Sequence, residues 1–154
     1  MSFKEQEIIE ARKMKWSSKH KEFMETIQYN SRYLQYIERT EGMKFRRYPE
    51  VFIGKKNTSY GHNENLIRNG EIADTQVAEV YIRPSLFSAK KAPYGAIVLL
   101  HEMREILYFQ NIREITEKRA HNRAFKHLEE DMNIVGTIYN LRELNTHEVF
   151  EAFG

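Results

Sequence analysis

Four titratable residues that carry metal-binding or proton-transfer chemistry stand in or near one apolar segment. The segment AIVLLHEMREILYF, residues 96–109, contains His101, Glu102 and Glu105, and His121 follows further along the chain. A helix packed in a core normally keeps such groups on its exposed face, because burying an unpaired charge is costly. His101 and Glu105 are four residues apart, so they share one face of a helix. This pattern indicates a site rather than an ordinary core helix.

The apolar spacing predicts two helices that would position these side chains. One covers residues 96–109 and the other about 112–131, and they pack antiparallel around a short turn at 110 and 111. Asn111 is the expected N-cap of the second helix, with Glu114 at the capping-box position. At roughly 1.5 Å per residue, His101 lies about 13.5 Å before the turn and His121 about 15 Å after it. The two histidines are therefore expected at nearly the same level.

Two imidazoles and one carboxylate, with a fourth position left for water, form the ligand set of a catalytic zinc site. His101, Glu105 and His121 supply that set here. Glu102 is next to His101 but not on quite the same face, so it is placed to take a proton from a water activated by the ion. The cofactor expected from these residues is zinc, and Glu102 is the expected catalytic base.

Structural interpretations of the same residues stay open. The two histidines would also suit a metal-free polar network with Glu102, Glu105 or Glu129. Glu129 lies two helical turns beyond His121 and is an alternative metal ligand. Arg104 is expected to pair with an acid and to solvate its helix. The remaining charged or titratable residues are expected to be solvated, as such side chains usually are; they are His127, Glu130, Asp131, His62 and His147.

A family resemblance points the same way. HEMRE resembles the HExxH helix of zincin-type metallopeptidases, with glutamate replacing the second histidine. The longer pattern EVYIRPSLF, AIVLLHEMREILYF and AHNRAFKHLEE, within residues 77–130, is similar to small archaeal, viral and phage proteins in which an AHxxA helix follows HExxE. The resemblance implies a peptidase-like zinc hydrolase in which His101 and Glu102 match the zincin motif. His121 stands where glutamate-ligand zincins carry their acidic third ligand.

The same resemblance implies a role for the segment before the helix. In zincins an edge strand preceding the active helix binds an extended peptide. VAEVYIR, residues 77–83, alternates like a strand and occupies that place in the order of elements. A peptide or protein substrate is the partner that this arrangement implies.

Composition narrows the possible chemistry. The chain of 154 residues contains no cysteine, which excludes disulfides, thiolate metal sites and thiol nucleophiles. Its 24 basic and 22 acidic residues lack the charge surplus of a dedicated nucleic-acid binder. No apolar run reaches the roughly 18 residues that indicate a membrane span. We expect a cytoplasmic protein without a membrane partner, and the sequence does not indicate an oligomeric state.

The predicted fold is a single α+β domain over residues 1–154, with a small, mainly antiparallel sheet and a zincin-like antiparallel helix pair. Helices are expected over 1–42, strands and loops over 43–95, and the metal-site helices with a C-terminal segment over 96–154. Gly42 is the expected stop of an N-terminal helix. The segment GKKNTSYGHNENLIRNG is expected to be a hairpin or surface loop.

Two other classes of function remain alternatives. Basic residues in the N-terminal third alternate with aromatic ones, a pattern that would suit nucleic acid and a metal-dependent nuclease. The basic residues are Lys13, Lys15, Lys19, Lys21, Arg46, Arg47, Lys55 and Lys56, and the aromatic ones Trp16, Tyr33, Tyr36, Tyr48 and Tyr60. Magnesium-dependent nucleases prefer oxygen ligands, whereas two level histidines favour zinc. The altered HExxE motif would also suit a non-catalytic interaction protein on a zincin-like scaffold.

Overall fold

The described part of the chain is a mixed α+β fold, which confirms the predicted class. The structure is a computed structural model that describes residues 31–55, 57–64, 67–68, 71–72, 77–88 and 90–154. Its helices are α1 (Ser31–Glu41), α2 (Ala92–Asn111), α3 (Glu117–Phe125), α4 (Leu128–Ile138) and α5 (Thr146–Phe153). Its strands are β1 (Glu50–Ile53), β2 (Tyr60–Glu64), β3 (Ile67–Arg68), β4 (Glu71–Ile72) and β5 (Val77–Ile82), and a 3₁₀ turn covers Pro84–Phe87.

The main sheet has β5 at its centre. β1 pairs with β5 in parallel, and β2 pairs with β5 antiparallel, so the strand order is β1-β5-β2. β3 and β4 form a separate antiparallel pair. Two of the three pairings between described strands are therefore antiparallel. Val80 and Ile82 in β5 are fully buried, as expected for an apolar central strand covered by helices.

The strand expected at the sheet edge is in a different place. The prediction of a strand over residues 77–83 is confirmed by β5, but β5 is paired on both sides and is not an edge strand. The edge beside helix α2 is β2, whose sequence YGHNE is polar and lies inside the segment predicted to be a hairpin or loop. Its strand character comes from pairing with β5 rather than from apolar alternation.

Helix α2 is the central element of the described fold. It packs against β2, β5 and all four other described helices. Apolar residues on several sides, such as Leu99, Leu100 and Leu107, are fully buried, as in a helix surrounded by protein. Pro93 is accommodated in the first turn, where a missing N–H breaks no helical hydrogen bond. The predicted helix over 96–109 is confirmed and is longer by four residues at the start and two at the end. In the described ranges no helix has the length and apolarity needed to cross a membrane.

The second predicted helix is wrong in both its start and its continuity. Residues 112–131 are not one helix, because α3 ends at Phe125 and α4 begins at Leu128. The N-cap of α3 is Thr116, whose hydroxyl accepts a hydrogen bond from the backbone N–H of Arg119 at 3.2 Å. The predicted N-cap, Asn111, is still inside α2. Its side-chain amide donates to two backbone carbonyls instead of capping the next helix.

Two other terminal signals are confirmed. Gly42 ends α1 with φ +67°, a left-handed conformation that favours glycine, and its N–H donates to the carbonyl of Glu38 at 2.9 Å. Asn145 caps α5, because its side-chain oxygen accepts from the N–H of Glu148 at 3.1 Å. These short-range signals require only neighbouring residues, which explains why the sequence is informative about them.

Arg104 is the largest fully buried side chain among the described residues, and Asp131 is only 1% exposed, so the prediction that both are solvated is wrong. The expected pairing of Arg104 with an acid is confirmed. Its guanidinium forms a two-pronged contact with Asp131, with nitrogen-to-oxygen distances of 2.7 and 3.1 Å. It also donates to the Thr40 hydroxyl at 3.0 Å and lies 3.2 Å from the Glu41 carboxylate. Burial lowers the pKa of Arg104, but the bonds and charge of Asp131, with Tyr36 and Glu41, outweigh burial and raise it overall.

The carboxylates around Arg104 are themselves bonded by other elements. The Tyr36 hydroxyl donates to Asp131 at 2.9 Å. Glu41 accepts from the Tyr108 hydroxyl and lies 3.1 Å from His127 Nε2. His127 was expected on a solvated helix end, but this contact turns it inward at the junction of α3 and α4. The network therefore joins α1, α2 and α4, and it fixes the helix that carries the candidate site.

Candidate metal centre

The structure brings together the three side chains that the sequence suggested as ligands. His101 Nε2 and His121 Nδ1 are 3.1 Å apart. Glu105 directs one carboxylate oxygen to each ring, at 3.3 Å from His101 Nε2 and 3.8 Å from His121 Nδ1. One candidate ligand atom from each residue lies within 4.8 Å of the other two. Within the described residues, these three side chains form the group with a spacing suited to a metal ion.

The distances can be compared with those of a zinc site. Four ligands at about 2.0–2.1 Å from an ion at the centre of a tetrahedron are about 3.3–3.4 Å from one another. The 3.1 Å between the two ring nitrogens and the 3.3 Å between Glu105 Oε2 and His101 Nε2 are close to that edge length, whereas the 3.8 Å to His121 Nδ1 is measured from the other oxygen, Oε1. With one atom from each residue, all separations are within 4.8 Å. The donor types are those of a zinc site, and the spacing allows one ion to be held by the three side chains.

The site is closed on one side and open on the other. His101 is only 2% exposed, and its ring contacts Phe125 and Phe153 with centroid separations of 4.6 and 5.0 Å. The side chain of His121, by contrast, is 52% exposed, and that of Glu105 is 15% exposed. The apolar wall fixes the orientation of the inner ligand, whereas the outer ligand faces solvent. A ligand set of this kind is accessible to a substrate from one direction.

A cavity of about 390 Å³ adjoins the exposed side of the cluster. Glu102, Glu105 and His121 all contribute to its wall, so the expected base and two of the expected ligands face one space. The other residues around the cavity come from β2, from α2 and from the start of α3, and they are Tyr60, Gly61, Ile106, Phe109, Glu117 and Lys118. The mixture of apolar rings and a few polar groups is typical of small-molecule and peptide sites.

His121 approaches His101 as predicted, but the connection between α2 and α3 contributes part of the distance that was assigned to helix length alone. His121 is only the fifth residue of α3, so it lies about 6 Å along that helix, whereas His101 is about 15 Å from the end of α2. Residues 112–116 between the helices begin and end in extended conformation. At up to about 3.3 Å per residue they span the difference. The expected proximity holds, but the loop provides part of the length.

Other candidate residues are not part of the cluster. Glu129 is exposed on α4 and does not belong to the metal-spaced group found in the described residues. His147 is exposed and lies 3.0 Å from Glu151 on its own helix. His62 lies in β2 opposite Glu79, a strand position that the sequence did not predict. Glu129 is therefore not placed to substitute for a ligand in this arrangement.

The basic residues considered for nucleic acid are only partly described. Arg46, Arg47 and Lys55 are exposed. Lys56 and the lysines of the first 30 residues lie outside the described part of the chain. Gln110, a buried side chain on α2, accepts from the backbone N–H of Arg46 at 2.8 Å and so fixes the backbone there.

Two residues near the site, Phe153 and Gly61, were not predicted from the sequence, and Phe125 packs against His121 with ring centroids 4.6 Å apart. Phe125 and Phe153 contact His101, and Gly61 faces the cavity from β2. Phe153 is distant in sequence and gives no local signal. Gly61 did carry one, because an isolated glycine in a strand often marks the close approach of another chain segment.

Comparisons of the chain with protein-family models, with curated proteins and with solved structures give no match.

Proposed function

We propose that this protein is a zinc-dependent hydrolase of peptide-like bonds, with His101, Glu105 and His121 as metal ligands and Glu102 as general base. The observation that carries the proposal is the clustering of two imidazole nitrogens and a carboxylate, with one atom of each within 4.8 Å of the other two, beside an open cavity. Two nitrogen ligands with one carboxylate favour zinc over magnesium, which prefers oxygen ligands. The same ligand set therefore supports zinc-dependent hydrolysis over magnesium-dependent nuclease chemistry.

Each residue has a distinct task in this proposal. His101, packed against the rings of Phe125 and Phe153, binds from the buried side, and His121 binds from the exposed side. Glu105 adds the negative charge that balances part of the cation. When bound, zinc acts as a Lewis acid that polarises a carbonyl and lowers the pKa of water. Glu102, on the wall of the same cavity, takes the proton of the attacking water and passes it to the leaving amine.

The competing interpretation is a metal-free polar cluster. A separation of 3.1 Å also suits a hydrogen bond between the two rings, with Glu105 as a further acceptor. The 52% exposure of the His121 side chain counts against a purely structural cluster, because exposed groups gain little stability from such bonds. The two interpretations predict different effects of zinc on the free energy of unfolding.

His101→Ala separates them in a thermal-unfolding experiment. Zinc is expected to stabilise the wild type by about 2.7 kcal/mol when free zinc is about 100 times Kd, and to give the variant no comparable gain. With a chelator present, the wild type should unfold at a lower temperature, His101→Ala should change little, and the gap between them should shrink. His147→Ala, an exposed histidine outside the cluster, is the control and should keep the full gain. An equal loss for His101→Ala with and without chelator would favour the metal-free cluster.

The activity itself is tested with zinc-loaded protein and a quenched-fluorescent peptide library, with casein as a second substrate. Cleavage should require zinc and should stop when a chelator removes it. Added zinc should restore cleavage by the chelator-treated wild type. Loss of cleavage in His121→Ala would support the assignment of this residue as a ligand. Zinc-loaded wild type that cleaves neither substrate would contradict a peptide hydrolase and leave zinc binding as a separate result.

A further inference from the structure

Gly61 is the point at which the edge strand β2 comes closest to the expected base. In the register of the sheet, Gly61 lies opposite Val80, a fully buried residue on the face of β5 that packs toward the helices. Neighbours opposite each other in an antiparallel pair project to the same side. Position 61 therefore faces α2, and the next residue on that side, Asn63, accepts from the amide of Gln110 at 3.3 Å.

The space beside Gly61 is occupied by Glu102. A Cβ at position 61 would lie 3.1 Å from Glu102 Oε2, 3.3 Å from Ile106 Cγ1 and 3.4 Å from the Glu102 carbonyl oxygen. The first two separations are tighter than ordinary van der Waals contact. Any side chain at this position would require a neighbour to shift by a few tenths of an ångström.

From these contacts we infer that Gly61 is a positioning residue for the Glu102 carboxylate. Of the neighbours that a Cβ would meet, the carboxylate is the far end of a rotatable side chain, so it is displaced at least cost. Because Gly61 has no side chain, the Glu102 carboxylate can lie close to the β2 backbone. That backbone then limits the positions that the carboxylate can take in the cavity. This inference rests on the proposed function only for its catalytic consequence, since the contact itself exists without metal.

Gly61→Ala should therefore affect rate more than stability. Proton transfer depends on the position of the base, and a displacement near 1 Å can cost about 10²-fold, so a smaller one is expected to lower kcat on the order of 10-fold. Zinc affinity and the unfolding temperature should remain close to those of the wild type, because the nearest atoms to a Cβ at position 61 belong to Glu102 and Ile106, which are not metal ligands. A purely structural role would instead lower the unfolding temperature and leave kcat unchanged.

Gly54→Ala is the matched control in the same sheet. A Cβ at position 54 would lie 3.3 Å from the backbone oxygen of Ile82, which cannot rotate away, and the position is not part of the cavity wall. This variant should lower the unfolding temperature and leave kcat per folded molecule unchanged. Gly61→Ala is thus expected to lower kcat and not the unfolding temperature, and Gly54→Ala to lower the unfolding temperature and not kcat.

The deciding experiment combines an NMR measurement, which requires no enzymatic activity, with a double-mutant cycle on kcat. In metal-free protein, the ¹³C NMR signal of the Glu102 carboxyl, assigned through Glu102→Gln, should shift in Gly61→Ala and not in Gly54→Ala. In zinc-loaded protein, Gly61→Ala should lower kcat in the wild type and have no further effect in Glu102→Gln, because both changes act on one group. An unmoved carboxyl signal, or an equal kcat loss in both backgrounds, would overturn the inference. A moved signal in a protein without cleavage would uphold the contact and count against the proposed function alone.

Discussion

Glu102→Gln is expected to lower the rate of peptide cleavage by on the order of 10²-fold or more while leaving one zinc ion bound per chain. The change is nearly isosteric, but an amide cannot accept the proton that a carboxylate takes from the attacking water. The ligand cluster does not include Glu102, so zinc affinity has no reason to fall. The paired measurement is zinc content by elemental analysis and initial cleavage rate for the same samples.

Glu129→Gln is the control for this prediction, because Glu129 is an exposed glutamate outside the cluster and the cavity. It should retain both zinc and rate. Three results for Glu102→Gln have different meanings. An unchanged rate would exclude Glu102 as the base, loss of zinc would make it a ligand, and loss of rate with retained zinc would support the proposed role.

Arg104→Met is expected to be the most destabilising of the single substitutions considered. The variant removes the positive charge that faces the buried carboxylates of Glu41 and Asp131. Of the partners described above, Asp131 then keeps only the Tyr36 hydroxyl. Breaking a buried ion pair from one side typically costs about 3–5 kcal/mol, because the remaining charge stays desolvated. A domain has only about 5–15 kcal/mol of total stability. Urea unfolding of metal-free protein should show a large fall in the midpoint.

Arg119→Met is the matched control, since Arg119 is exposed on α3, and its effect should stay within about 0.5 kcal/mol. Arg104→Lys keeps the charge but not the two-pronged geometry, so it should fall between the two. If Arg104→Met does not fold, the lysine variant still tests the prediction. A midpoint for Arg104→Lys equal to that of wild type would contradict the importance assigned to the guanidinium fork.

The parts of this fold that the sequence predicts depend on short-range patterns. The helix around His101, the cap at Asn145 and the stop at Gly42 each need only residues within one or two turns. The pairing of His101 with Glu105 is of the same kind, because four-residue spacing places both on one face. The approach of His121 was predicted from helix lengths, and it is found although α3 starts later than expected, because residues 112–116 between the helices make up the distance.

The parts that the sequence does not predict depend on partners far along the chain. Arg104 resembles an ordinary exposed arginine until its contacts with Asp131, 27 residues away, and Thr40, 64 residues away, are known. Strand β2 is polar and contains a glycine, so its pairing with β5 cannot be read from alternation. The same nonlocal pairing makes β2 the edge strand and moves β5 to the centre. Burial of a charge and the order of strands are properties of the assembled fold.

The central claim is that His101, Glu105 and His121 hold one zinc ion, and His121→Ala provides the most direct measurement. His121 is half exposed, although its ring contacts those of His101 and Phe125, so its truncation removes a ligand with a smaller packing loss than truncation of the buried His101. Metal-free wild type, His121→Ala and the exposed control His147→Ala are dialysed against a chelator-buffered series of free zinc concentrations, and zinc per chain is measured. Wild type and His147→Ala are expected to saturate at one zinc per chain, with His121→Ala requiring at least about 10-fold more free zinc. Wild type that takes up no zinc, or that binds it no more tightly than His121→Ala, would contradict the claim.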